Sequence, residues 1–154
     1  MNLLLWRHAD AEEGAPDVAR ALTRKGHEQA ASVAHWLKRQ LPPHPRILVS
    51  PARRARETAE ALGLPYQVET ALAPGAEPAT VLELVEGLPE AREATSCVVL
   101  VGHQPWIGEV AALLISGGQA SWSVRKAAVW WLVRRMRSGE AQWTVRTVTD
   151  PDYS

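Results

Sequence analysis

Short apolar runs at Asn2–Trp6, Ile47–Val49 and Ser96–Val101 are each followed by a segment whose apolar residues recur at spacings of three and four. This strand-then-helix alternation constrains the fold more than any other feature. A helix that returns the chain to a neighbouring strand demands a parallel sheet with helices packed on its faces. Thr23 is placed to cap a first helix running to about Gln40, with Ala30, Val33, Leu37 and Leu41 on one stripe and Pro42 and Pro43 ending it. Ser50 followed by Pro51 reads as a capping hydroxyl before a proline at the first helical position, and that second helix ends at Gly63. A brief strand near Tyr66–Val68 leads to a helix bearing Val81, Leu82, Val85 and Leu88. Pro105 opens a last helix with Ile107, Val110, Ala111 and Leu114, which Gly117 and Gly118 end. The tail changes period. Ala127–Arg134 is apolar on both faces of a strand, Gln142–Thr147 alternates around Trp143 and Val145, and Ser138-Gly139 supplies a turn between them. The expected fold is a three-layer α/β sandwich: a mixed, mostly parallel sheet of about six strands, helices on both faces, and a C-terminal antiparallel hairpin.

At 154 residues, 46% of them hydrophobic, the chain suits a single domain over residues 1–154 with its own core. Seventeen basic and seventeen acidic residues cancel, so no overall field favours a nucleic acid or a membrane surface. Cys97 is the only cysteine, which excludes an internal disulfide and every multi-cysteine metal pattern. The apolar run before Arg7 is too short for a signal-peptide core or a membrane span, so the expected compartment is the cytoplasm. Phosphate-loop, dinucleotide, zinc-protease and nucleophile-elbow motifs are all missing.

Open α/β sheets bind ligands at the carboxyl ends of their strands, which selects Arg7 and His8, Ser50–Arg56, and Gly102–Pro105. His8 and His103 stand directly at strand ends, whereas His27, His35 and His44 read as surface residues. Alone, His8 is better explained as a hydrogen-bonded residue ending a strand. Arg7 and Arg54 change that balance, because their planar, permanently charged forks match phosphate oxygens, and the helix start after Ser50 would aim N–H groups at the same anion. Arg53 and Arg56 read as a solvated helix face. Trp36, Trp130 and Trp131 are ascribed to packing, and Trp106 either lines a pocket rim or packs.

Arg7-His8-Ala9, Leu22-Thr23-x-x-Gly26-x-x-Gln29-Ala30, Ser50-Pro51-x-x-Arg54-Ala55-x-x-Thr58 and Gly102-His103, in this order, resemble the histidine phosphatase superfamily, the relatives of phosphoglycerate mutase. Gly102-His103-Gln104-Pro105 and the short length are most similar to the SixA-type phosphohistidine phosphatases. The resemblance implies His8 as the nucleophile that takes the phosphoryl group, Arg7 and Arg54 as oxyanion clamps, and His103 as a further donor to the phosphoryl oxygens. A neutral imidazole can attack phosphorus while arginines neutralise the equatorial oxygens, so neither a metal nor another cofactor is required. Ala9 departs from the glycine usual in the family. Many relatives carry a glutamate acid in an insertion after the third strand, and no such cap insertion is visible between Arg54 and His103. Glu77 and Asp10 are the candidate proton donors; the alternatives are a solvated loop carboxylate for Glu77 and a partner of Arg20 or a helix end for Asp10. Arg20 either touches substrate or forms a surface ion pair with Asp17. The expected substrate is a phosphorylated protein, specifically a histidine phosphotransfer domain. The rival readings are a small phosphorylated metabolite and a phosphate-binding module without turnover.

Overall fold

The computed structural model describes all 154 residues. Strands β1 (Asn2–Arg7), β2 (Arg46–Val49), β3 (Gln67–Val68) and β4 (Cys97–Gly102) run parallel, and β5 (Val129–Arg137) and β6 (Glu140–Thr149) close the sheet as an antiparallel hairpin. The strand order is β3-β2-β4-β1-β5-β6, so the sheet is six-stranded and mixed, as the alternation of periods predicts. Because side chains alternate across a strand, each central strand feeds two cores. Leu4, Trp6, Val99 and Val101 pack with Val33 and Leu37 of α1 (Arg24–Gln40) and with Ala55 and Ala59 of α2 (Arg53–Glu60). Leu3, Leu5, Val98 and Leu100 face the other way, onto α3 (Pro78–Gly87) and α4 (Trp106–Ser116). All eight strand residues are fully buried, and a buried leucine or valine contributes about 1.5–3 kcal/mol. No helix is long and apolar enough to cross a membrane.

Thr23 caps α1 as expected, its Oγ1 accepting from the Gly26 N–H at 2.9 Å. Gly26 is required there for a second reason. A Cβ at this position would collide with the Asp10 carbonyl oxygen, so the missing side chain lets the helix start seat against the loop that follows His8. The second helix departs from expectation. It begins at Arg53 with Ala52 as its uncapped N-terminal neighbour, and Pro51 precedes the helix instead of opening it. Ser50 is buried and turned into the molecule, where its hydroxyl meets a histidine as well as the Ala52 N–H just ahead of the helix.

Pro105 likewise lies just outside α4, and the side chain of Gln104 does the capping: its Oε1 accepts from the Gly108 N–H at 2.8 Å while its Nε2 donates to the Trp122 carbonyl at 2.7 Å. Trp106 is completely buried and its ring occupies the space a side chain at Gly102 would need, so packing, not a pocket rim, accounts for it. The hairpin turn at Ser138 and Gly139 has φ of 52° and 81°, the left-handed pair that suits the twist of two joined strands.

Candidate active site

Parallel register sets the site. Arg7 is level with Gly102, and Val49 with Val101, so the residues that leave β1, β2 and β4 emerge side by side at one edge of the sheet. The backbone then continues the ladder by one bond each way: the His8 N–H donates to the Gly102 carbonyl and the Ser50 N–H to the Val101 carbonyl, both at 3.0 Å. These bonds bring the His8 and His103 rings to a centroid separation of 5.1 Å.

His8 is 8% exposed, and its Nδ1 lies 2.7 Å from the Ala9 carbonyl oxygen. A carbonyl can only accept, so Nδ1 carries the ring proton and Nε2 keeps its lone pair. Burial, together with Arg54, Arg7 and Arg20 and against the Ala9 hydrogen bond, pushes the His8 pKa down to about 4. His103 is 2% exposed, and burial followed by the influence of His8 and Arg54 pushes its pKa down to about 3. Both rings are therefore neutral at physiological pH. His27, His35 and His44 are exposed, as expected of surface residues.

Arg54 is 5% exposed and reaches the site from the first turn of α2. Its fork is held from behind by Asp17, through the backbone carbonyl at 2.9 Å and the carboxylate at 3.1 Å. Arg7 is half-buried and donates to the Val124 carbonyl at 2.7 Å. The Nε of each arginine and Nδ1 of His103 are buried without a hydrogen-bond partner within the protein. Arg20 shares the Asp17 carboxylate at 3.0 Å, so the anticipated ion pair exists and also links Arg20 to Arg54. Arg53 is exposed and pairs with Glu57, whereas Arg56 is half-buried and not the freely solvated residue its spacing suggests.

The two candidate acids fare differently from the four residues above. Asp10 is committed elsewhere: Lys126 Nζ lies 2.6 Å from its Oδ1, and the Thr23 hydroxyl donates to Oδ2 at 2.8 Å. The Lys126 and Thr23 bonds hold its pKa below the usual carboxylate range, which suits a fixed anion and not a proton donor. Glu77 is exposed at the start of α3, where it lines a cleft of about 450 Å³ with Glu109, Leu113, Gln119 and Ser121. None of Arg7, His8, Arg54 and His103 lines that cleft. A larger cleft, about 1320 Å³, is lined by Met1, Ala94 and Arg146 among others and likewise by none of those four. No group of three or more His, Cys, Asp or Glu side chains is arranged to hold a metal ion.

Three supporting residues were given no role in the site by sequence reasoning. Thr58 Oγ1 accepts from the Ala9 N–H at 3.0 Å and donates to the Arg54 carbonyl at 2.7 Å, tying the His8 loop to α2. Gln29 accepts from the Asp10 N–H at 2.9 Å. Ser50 holds His103. Thr58 and Gln29 stand within the sequence patterns quoted above, which was the only available signal. The methyl of Ala9 lies in the core between the sheet and helices α1 and α2, so the departure from glycine fills packing space.

Two neutral buried histidines make stability depend on acid. The unfolded chain takes up protons near the ordinary histidine value of 6.5, while the folded protein resists them until about 4 and about 3. The unfolded state therefore binds more protons between these limits, and stability falls as pH drops from about 6.5 toward about 4. Urea unfolding at pH of about 7 and about 4.5 should show the midpoint falling, and falling less in His103→Gln. An equal drop in the variant would remove His103 from the account.

Residues 3–75 match the model of the histidine phosphatase superfamily, branch 1. Phosphohistidine phosphatase SixA of Escherichia coli is 34% identical over 76% of this chain and 76% of its own length. The SixA homolog of Haemophilus influenzae is 34% identical over 74% of this chain and 77% of its own. The solved structure of the protein histidine phosphatase SixA complexed with tungstate superposes with a TM-score of 0.84 at 29% identity, covering 99% of this chain and 98% of that one. With strand-end histidines and arginines drawn together on the same fold, the chain belongs to the histidine phosphatase superfamily and is a phosphatase with a histidine nucleophile.

Proposed function

We propose that the protein hydrolyses phosphohistidine carried on a partner protein, through a phosphorylated His8 and without a metal ion. The observation that carries this reading is the bond from His8 Nδ1–H to the Ala9 carbonyl, which leaves the Nε2 lone pair free beside Arg7 and Arg54. In the first step Nε2 bonds to phosphorus as the phosphorus–nitrogen bond of the substrate breaks, and the departing electron pair stays on the substrate imidazole. Water then attacks phospho-His8, releasing inorganic phosphate and restoring the neutral ring. The clamps Arg7 and Arg54, with the His103 N–H, neutralise the equatorial oxygens in both steps, a task that a metal ion performs in other phosphoryl-transfer sites. Arg20, bound through Asp17 to Arg54, is placed to extend the clamp toward the protein part of the substrate.

Two features favour a substrate that stands on a protein surface. Residues 61–96 hold β3, α3 and two short three-ten turns, and Leu72, Val81, Val85 and Ala91 anchor that stretch in the core, which supports a site without an inserted cover. The related SixA proteins are named for phosphohistidine. The test is to compare kcat/KM, in the presence of a chelator, for a phosphohistidine-bearing phosphotransfer domain and for a panel of phosphate monoesters. Faster turnover of the phosphoprotein supports the proposal. A clear preference for monoesters would assign the protein to small phosphorylated metabolites, and loss of activity in chelator would end the metal-free mechanism.

The leaving group sets what an acid can contribute. An imidazole already protonated in the substrate departs neutral, whereas an alkoxide needs a proton in the transition state. An acid therefore matters unequally: Glu77→Gln should change phosphohistidine turnover by less than about twofold and slow alkyl esters more, with Asp10→Asn as the control. A large, equal loss on both substrates would make Glu77 a general acid and defeat this part of the reading.

A further inference from the structure

Ser50 is fully buried at the end of β2, with its hydroxyl oxygen 2.7 Å from His103 Nε2 and 3.2 Å from the backbone nitrogen of Ala52. The Ala52 N–H can only donate, so it takes one lone pair of Ser50 Oγ. Two arrangements remain for the contact with His103. If Nε2 carried the ring proton, it would donate to Oγ as well, and the Ser50 hydroxyl proton would be buried with no acceptor in reach. If the hydroxyl instead donates to Nε2, every polar group at Ser50 is satisfied and the single proton of the neutral ring sits on Nδ1. That nitrogen is buried and makes no hydrogen bond within the protein.

We infer that Ser50 is a positioning residue whose hydroxyl holds His103 as the Nδ1–H tautomer, so that an N–H and not a lone pair is presented to the phosphoryl oxygens. The role rests on the reading of His103 as a phosphoryl-oxygen donor given above. It also explains how two neutral histidines, 5.1 Å apart, do opposite things. The Ala9 carbonyl leaves a lone pair on the other nitrogen of His8, for phosphorus, while the Ser50 hydroxyl leaves an N–H on the unpartnered nitrogen of His103, for oxygen. With the wrong tautomer, His103 would turn a lone pair toward an anion. Protonating both nitrogens is no remedy, because burial and the neighbouring His8 and Arg54 keep the ring neutral down to about pH 3.

The tautomer can be read directly. In long-range proton–nitrogen NMR of the free protein at neutral pH, with His103 assigned by comparison with His103→Gln, the protonated nitrogen is expected to be Nδ1. A proton on Nε2 overturns the proposal whatever the activity, and this measurement on the wild-type protein requires no Ser50 variant to fold. Ser50→Ala should shift His103 toward the Nε2–H form and lower kcat on a phosphohistidine phosphotransfer domain roughly 10- to 100-fold, as for other groups that orient a site's ligands, with KM changed less than about twofold. Ser50→Thr, which keeps the hydroxyl, should restore the tautomer and most of kcat. An Ala variant with unchanged kcat, or with the tautomer unmoved, overturns the role of Ser50. Failure of the site reading looks different: activity retained in His8→Ala would discard the phosphoryl-transfer assignment while the His103 tautomer stayed as observed.

Discussion

His8→Ala is expected to lose about a thousandfold or more of phosphatase activity while keeping the fold. The loss follows from geometry: Nε2 is the only ring nitrogen of His8 left with a lone pair, and His103, the other buried histidine, has Nε2 engaged by Ser50. The fold should survive because the backbone of His8, not its ring, carries the structural bonds, donating to Gly102 and accepting from Ala127 at 3.2 Å. Circular dichroism and the melting temperature check the second point. Rapid acid-free quenching with labelled phosphohistidine substrate checks the first, since wild-type protein should accumulate label and the variant should not. Retention of more than a few per cent of activity would make His8 a structural residue and end the covalent mechanism.

Arg54→Ala should lose about 3 kcal/mol of transition-state stabilisation, which is more than a hundredfold in kcat/KM. Arg53→Ala should change it less than about twofold, because Arg53 is exposed and its partner is Glu57. Arg54 is buried, its fork is fixed by two bonds to Asp17, and its Nε has no partner within the protein, so its charge is oriented before substrate arrives. Arg54→Lys separates charge from shape: an ammonium keeps the former and loses the two-pronged geometry, so most of the deficit should persist. Comparable losses at Arg53, Arg54 and Arg56 would replace the oriented clamp with a diffuse basic surface.

Much of this was legible before any coordinates. Elements whose signals are local came out where expected: Thr23 caps α1, the stripe Ala30, Val33 and Leu37 is buried, and Ser138-Gly139 turns the hairpin. His8 and His103 stand at strand ends because an apolar run stops one residue before each of them. Ser50 and Pro51 misled for a related reason. Their local pattern is that of a helix start, yet the hydroxyl is drawn inward by a partner in another strand.

The periods are written in the order of residues, and through them the alternation of strands and helices and the edge of the sheet at which Arg7, His8, Arg54 and His103 collect. Pattern and punctuation are short-range, carried by residues a few positions apart. Which groups face one another across long stretches of chain is set by the folded arrangement. Asp10 found Lys126, Asp17 took hold of Arg54, and Ser50 met His103. Those choices depend on strand order and register, since β4 inserts between β1 and β2 and sets His103 beside both His8 and Ser50. A buried hydrogen bond is then selected by which donors and acceptors are left together without water, a condition that exists only once the chain has folded.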